Sequence, residues 1–129
     1  MDELYRENIL DHYKHPRNAG RIDAADFSAR ELNPSCGDAI ELFLKTEADS
    51  ASPDGLRVAS ATFDGRGCAI SQASASMLTE KLKGLPLEEA RALTDRDILA
   101  MLGIEVGPLR MRCATLSLRA LAAALDSKK

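Results

Sequence analysis

The hydrophobic pattern of the chain changes its period once, near residue 64. Apolar side chains alternate with polar ones over residues 39–46 and again over 56–63, and period two is typical of β-strands with one buried face. A turn-rich stretch separates the two segments, so they predict an antiparallel pair. A further short strand is predicted over residues 29–32, which brings the sheet to about three strands.

Beyond these strands the pattern becomes helical. Residues 64–67 predict a glycine-rich turn, and from Cys68 onward apolar residues recur at three- and four-residue intervals. Strands followed by helices predict an α+β fold, with a small antiparallel sheet and helices packed on one face. Prolines, glycines and capping residues set the remaining boundaries. They predict a first helix over 3–13, a surface connection over 16–28, and helices from Cys68 to near Gly84, from Pro86, from Thr94 or Asp95 to Leu102, and from Pro108.

Composition narrows the classes of function. The 129 residues carry a formal net charge of −3, with two Tyr, three Phe and no Trp, so neither a basic field nor an aromatic platform for nucleic acid is present. No apolar run approaches the roughly 18 residues of a membrane helix, and the N-terminus is acidic, unlike a signal peptide. We expect a single domain over residues 1–129, cytoplasmic, with no nucleic-acid or membrane partner.

Three cysteines lie far apart in the sequence, an odd count that does not suit a disulfide framework. Cysteines are often small buried hydrophobes, and Cys113 also fits the apolar stripe of the last helix. Cys36 and Cys68 lie at turns instead. Cys36 follows Pro34 in a loop between strands. Cys68 opens a helix, where unpaired N–H groups stabilise a thiolate.

Asp38 adds a carboxylate next to this set of thiols. It lies two residues after Cys36, and the intervening Gly37 leaves the backbone free to point both groups at one target. With Cys68 and Cys113, the residues supply four ligands, enough for zinc or an iron–sulfur fragment. A permanent structural zinc site would usually have paired C-x₂₋₄-C knuckles, which are absent. One carboxylate among thiolates favours a site that releases its contents.

The two histidines, His12 and His15, lie on or just after the first helix. A role as metal ligands is open. We prefer helix-end cations, because a positive side chain near a helix C-terminus interacts favourably with the helix dipole. Ser71, Ser74 and Ser76 predict close helix packing rather than nucleophilic catalysis.

Several segments together resemble the SufU/IscU/NifU N-terminal family of iron–sulfur cluster assembly proteins. They are residues 4–6 (LYR), 11–18 (DHYKHPRN), 33–38 (NPSCGD), 65–76 (GRGCAISQASAS) and 112–116 (RCATL), within a match over about residues 3–125. The resemblance implies an α+β fold, sulfur received as a persulfide from a cysteine desulfurase, and a labile [2Fe–2S] cluster passed to apo iron–sulfur proteins or carriers. Zinc commonly occupies the same site. By position, the implied ligands are Cys36, Asp38, Cys68 and Cys113.

Two features separate the chain from individual branches of the family it resembles. IscU proteins typically have a histidine directly before the third cysteine, in a segment read by a dedicated Hsp70 chaperone, and Arg112 stands there instead. SufU proteins usually have an insertion between the second and third cysteines, and this chain is short between Cys68 and Cys113.

The sequence therefore leaves three functions open. We place a non-enzymatic assembly scaffold first and a zinc-dependent sulfurtransferase acting with a SufS-type desulfurase second. A passive zinc-stabilised interaction domain comes third. Cys36 and Cys113 are the candidate sulfur acceptors.

Overall fold

A computed structural model of the chain describes residues 3–34 and 37–126. In chain order the elements are α1 (Glu3–Lys14), β1 (Phe27–Asn33), β2 (Asp38–Ala48), β3 (Leu56–Arg66), α2 (Ala69–Leu82), α3 (Leu87–Arg91), α4 (Asp95–Leu102) and α5 (Pro108–Asp126). The predicted α+β fold is confirmed, and the helix boundaries agree with the predicted ones to within about two residues.

The three strands form one antiparallel sheet in the order β1-β2-β3. The predicted pairing of the second and third strands is confirmed. The last residue of β1, Asn33, lies opposite the first residue of β2, Asp38. Strands β1 and β2 therefore form a β-hairpin, and the connection between them, the hairpin turn, lies at one end of the sheet.

Two predicted strand boundaries were wrong. Strand β1 begins at Phe27, inside the predicted surface connection, and β3 continues to Arg66, through most of the predicted glycine turn. Because β2 begins at Asp38, it offers pairing partners to β3 as far as Arg66. Gly65 serves close packing here, since a Cβ on it would lie 2.5 Å from the side chain of Ile40.

The helices pack on one face of the sheet, as predicted. Helix α5 crosses β1 and β2, α2 lies against β3 and α5, and α1 packs on α2. The largest fully buried side chains come from both layers: Phe63, Ile40, Leu42, Leu44, Leu78, Leu82, Leu87, Ile98, Leu102, Leu116, Leu121 and Leu125. Within the described residues, no helix has the length and apolarity needed to cross a bilayer.

Small polar residues let α2 pack closely against its neighbours. Ser71, Ser74 and Ser76 are all completely buried, which confirms the packing role predicted for them. The hydroxyl of Ser74 donates to the carbonyl oxygen of Ala114 at 2.6 Å. Each of these two residues lies in the second turn of its helix. The N-terminal ends of α2 and α5 therefore lie side by side, at the same end of the sheet as the hairpin turn.

A buried histidine joins α1 to α2. The Nδ1 atom of His12 lies 2.7 Å from the hydroxyl of Ser76, which also accepts from the backbone N–H of Arg17 at 2.8 Å. Burial is the main cause that lowers the pKa of His12, and Arg17 adds to it, while Glu80 and Asp11 act in the opposite direction. His12 is therefore neutral in the folded protein near pH 7, and the helix-end cation predicted for it was wrong.

This lowered pKa predicts a loss of stability in mild acid. Because the pKa of His12 is lower in the folded chain than in the unfolded chain, the unfolded chain takes up its proton at higher pH, so the free energy of unfolding falls as pH drops from 7.5 to 5.5, by up to about 1.4 kcal/mol for each unit by which the pKa is lowered. Urea unfolding of the reduced, metal-free protein at both pH values measures the loss. His12→Gln should reduce it, and the exposed neighbour supplies the control His15→Gln, which should keep it. Equal losses in all three proteins would contradict the assignment.

Candidate metal centre

Three side chains from three different elements meet at the end of the sheet where the hairpin turn lies. Asp38 begins β2, Cys68 directly precedes α2, and Cys113 lies in the second turn of α5. One carboxylate oxygen and the two sulfur atoms all lie within 4.8 Å of one another. Asp38 and Cys113 are each only 2% exposed, whereas Cys68 is exposed to solvent. The group is therefore anchored in the core and open on one side.

The carboxylate of Asp38 has two separate contacts. Its Oδ1 accepts a hydrogen bond from the backbone N–H of Cys68 at 3.0 Å, and its Oδ2 lies 4.0 Å from the sulfur of Cys68. Cys68 is the N-cap of α2 and has no side-chain cap of its own, so a strand carboxylate takes over the capping of this helix. Oδ1 is engaged by the backbone, and Oδ2 is the oxygen that faces the thiols.

Gly67 makes this contact possible. Its φ is +144°, and a Cβ built on it would collide with the carboxylate of Asp38 and lie 2.8 Å from the hydroxyl of Ser71. Only a residue without a side chain both adopts this backbone shape without strain and leaves room for the carboxylate. The turn predicted here is reduced to Gly67 and Cys68, and Gly67 belongs to the packing of the site.

Cys113 is held from the opposite side by Asn33. The side-chain Nδ2 of Asn33 donates to the sulfur of Cys113 at 3.6 Å, and Asn33 is only 2% exposed. The sequence motifs assigned Asn33 no role beyond its place in the segment 33–38. The signal that could have found it is strand alternation, since Asn33 has the same parity as Phe27 and therefore shares the helix-facing side of β1.

Cys36 lies outside the described residues, so its predicted role as a ligand stays a prediction. Its sequence neighbour Gly37 has φ +71° and donates its backbone N–H to the carbonyl of Asn33 at 2.9 Å, which closes the hairpin connection. The chain thus turns back at Gly37 and enters β2 with Asp38, the residue whose carboxylate meets Cys68 and Cys113.

Among the described residues, neither histidine belongs to this group. His12 is bonded to Ser76, and His15 is exposed at the end of α1. Arg110 and Arg112, which flank Cys113 in the sequence, are both exposed.

The family model described as "NifU-like N terminal domain" matches residues 4–128. The chain belongs to this family. The resemblance stated from the sequence motifs is therefore confirmed.

Named members of the NifU-like family show how close the relationship is. The chain is 39% identical to the zinc-dependent sulfurtransferase SufU of Bacillus subtilis, over 94% of this chain and 88% of that protein. It is 35% identical to the iron–sulfur cluster assembly scaffold protein IscU of Escherichia coli, over 97% of this chain and 94% of that protein. The SufU alignment spans 139 positions, more than the 129 residues of this chain, so SufU contains residues that have no counterpart here.

A solved structure from Fervidobacterium islandicum shares the fold. It belongs to a protein described as a candidate iron–sulfur cluster assembly scaffold for the SUF system, with a TM-score of 0.73 and 25% identity, over 97% of this chain and 99% of that one.

The donor set of this NifU-like chain suits a thiophilic metal. Thiolates select zinc and iron–sulfur species, while carboxylates are harder ligands that exchange more readily. The two sulfurs and one carboxylate oxygen of Asp38 therefore form a group able to hold a metal ion.

Replacing Gly67 tests whether its missing side chain shapes this group. In Gly67→Ala the new Cβ displaces the Asp38 carboxylate, so zinc affinity should fall roughly ten- to hundredfold, the usual range for the loss of a supporting contact. Stability should also fall by about 1–3 kcal/mol from backbone strain. Zinc affinity is measured by competition with a chromophoric chelator, and stability by urea unfolding.

The matched control for that substitution is Gly84→Ala. Gly84 also has a positive φ, +80°, but a Cβ on it meets nothing within 4 Å. This control should lose stability through strain and keep its zinc affinity. Equal zinc affinities for the two variants would show that Gly67 has no role in positioning Asp38.

Proposed function

We propose that the protein is an iron–sulfur cluster assembly scaffold that receives sulfur from a cysteine desulfurase, assembles a labile [2Fe–2S] cluster, and passes it to apo iron–sulfur proteins or carriers. The observation that carries the proposal is the convergence of Asp38, Cys68 and Cys113 within 4.8 Å, on three elements and with one side open. With Cys36 from the hairpin turn, the ligand set is three thiolates and one carboxylate.

A scaffold must both hold and release its cargo, and the ligands divide between these tasks. Cys113 is buried and Asp38 is tied through Oδ1 to the start of α2, so the site keeps its shape without cargo. Cys68 is exposed, and the oxygen that Asp38 offers is the most exchangeable ligand of the set. Release to an acceptor protein would begin on this open side.

Sulfur delivery needs a thiolate that can attack the outer sulfur of the desulfurase persulfide, form a new sulfur–sulfur bond, and leave the desulfurase cysteine as a thiolate. Cys113 is only 2% exposed, and its sulfur is engaged by Asn33. Of the two candidate acceptors, we therefore propose Cys36 as the first, with Cys113 as a ligand that stays in place.

The second candidate function is zinc-dependent sulfur transfer to a SufS-type desulfurase. The 39% identity to a SufU protein favours it, as does the absence of a histidine before Cys113. In this function the same four residues would hold zinc, and Cys36 would leave the metal to accept sulfur. Both functions share the first step and differ in what the site carries afterwards.

One experiment with two arms tests the proposal. The protein is incubated without oxygen with a cysteine desulfurase, cysteine and a thiol reductant that reduces the transferred sulfur to sulfide, once with ferrous iron and once loaded with zinc. If the protein is a scaffold, the iron arm develops the visible absorbance of a [2Fe–2S] cluster. This cluster can then be transferred to an apo-ferredoxin. In a separate reaction the desulfurase is allowed a single turnover with no excess metal present. Peptide mass mapping of the protein should then find the additional sulfur atom on Cys36.

The outcomes of the two arms separate the candidates. A strong stimulation of desulfurase turnover in the zinc arm, lost in Cys36→Ala, with no absorbance in the iron arm, would overturn the scaffold in favour of the sulfurtransferase. No cluster, no stimulation and no sulfur on any cysteine would contradict both. Sulfur on Cys113 alone would keep the function and refute the assignment of Cys36 as first acceptor.

A further inference from the structure

Asn33 is a buried polar side chain whose hydrogen bonds are only half satisfied. It is 2% exposed and ends β1, opposite Asp38. Its Nδ2 donates to the sulfur of Cys113, whereas its Oδ1 is fully shielded from solvent and has no hydrogen-bond partner in the described part of the chain. A buried, unpaired amide oxygen destabilises a fold. Within the described residues, the Oδ1 half of the amide therefore adds nothing to the stability of the metal-free protein, and the Nδ2 half makes the contact with Cys113.

We propose that Asn33 is a positioning residue for the Cys113 sulfur, acting when that sulfur is a metal-bound thiolate. The inference rests on the metal-holding site of the proposed function. A thiolate carries negative charge and needs donors. Cys113 is too buried for water to provide them, and the Nδ2 group of Asn33 lies 3.6 Å from the sulfur. Donors to a ligating sulfur orient it and tune the metal it binds.

The backbone of Asn33 couples this contact to the hairpin turn. Its carbonyl accepts from the N–H of Gly37 at 2.9 Å, across the residues that include Cys36. Its side chain reaches in the other direction, to α5. One residue thus connects Gly37, the residue before Asp38, with the helix that carries Cys113. Cys68 is held differently, since this residue is exposed and both its N–H and its sulfur contact the carboxylate of Asp38.

The test replaces the amide with apolar side chains, in Asn33→Leu and the smaller Asn33→Ala. It measures zinc affinity and the stability of the metal-free protein, which would both fall if Asn33 had only a structural role. Zinc affinity, from chelator competition, should fall about ten- to hundredfold in both variants. The urea midpoint of the metal-free protein should not fall in at least one of them, because the unpaired oxygen is removed. Cobalt-loaded variants should show their thiolate-to-cobalt absorption at longer wavelength, because the sulfur loses its hydrogen bond.

The chain offers a matched control in Thr62→Val. The hydroxyl of Thr62 is the other buried side-chain oxygen without a partner among the described residues, and it lies on β3 opposite Phe43, away from the cysteines. Removing it should leave zinc affinity and the cobalt spectrum unchanged.

The outcomes separate this inference from the proposed function. Unchanged zinc affinity in Asn33→Leu and Asn33→Ala, with tight binding by the wild type, would overturn the role of Asn33 and leave the site intact. Parallel losses of affinity and metal-free stability in both variants, without a spectral shift, would make Asn33 merely structural and also overturn it. A wild type that binds neither zinc nor cobalt would instead refute the metal site of the proposed function, and the inference with it.

Discussion

The hydrogen bond from the backbone N–H of Cys68 to the carboxylate of Asp38 is the contact on which the arrangement depends. It joins the first residue of β2 to the cap of α2 and so sets where the helical layer meets the end of the sheet. Because a carboxylate at a helix N-terminus is stabilised by both the unpaired N–H groups and the helix dipole, the contact contributes to folding while it presents one oxygen to the thiols. Gly67 leaves the space for it. The side chain of Asp38 therefore serves both the packing of α2 on the sheet and the metal-holding group.

The same end of the fold combines rigid and open parts. Helices α2 and α5 approach closely through buried serines, so the sulfur of Cys113 is fixed within the core. Cys68 lies at the surface, and Asp38 exposes only one oxygen to the site. A group built in this way can hold a thiophilic metal ion or cluster through the buried thiolate. It can release that metal through the exposed thiolate and the more exchangeable carboxylate oxygen. This division is what cluster assembly requires, and the similarity to both IscU and SufU proteins accords with it.

Much of the architecture could be predicted from the sequence, because the change from period two to helical spacing is strong and the helix boundaries carry prolines, glycines and the Thr94 capping box. Turn chemistry also singled out Asp38 and Cys68. The rest depended on contacts between distant segments. Gly65 looked like a turn residue until the register placed it under Ile40, and His12 looked like a surface cation until α2 buried it. Strand alternation could place Asn33 on the helix-facing side of β1, but no local pattern identifies its partner Cys113, which lies 80 positions away.

The most direct test of the central claim is X-ray absorption spectroscopy at the zinc edge of the fully loaded protein. If Cys36, Asp38, Cys68 and Cys113 form one site, the spectrum is fitted by three sulfur ligands and one oxygen, with one zinc per chain, and Asp38→Cys converts it to four sulfurs. Two or fewer sulfur ligands in the wild type, or an unchanged first shell in Asp38→Cys, would contradict the account.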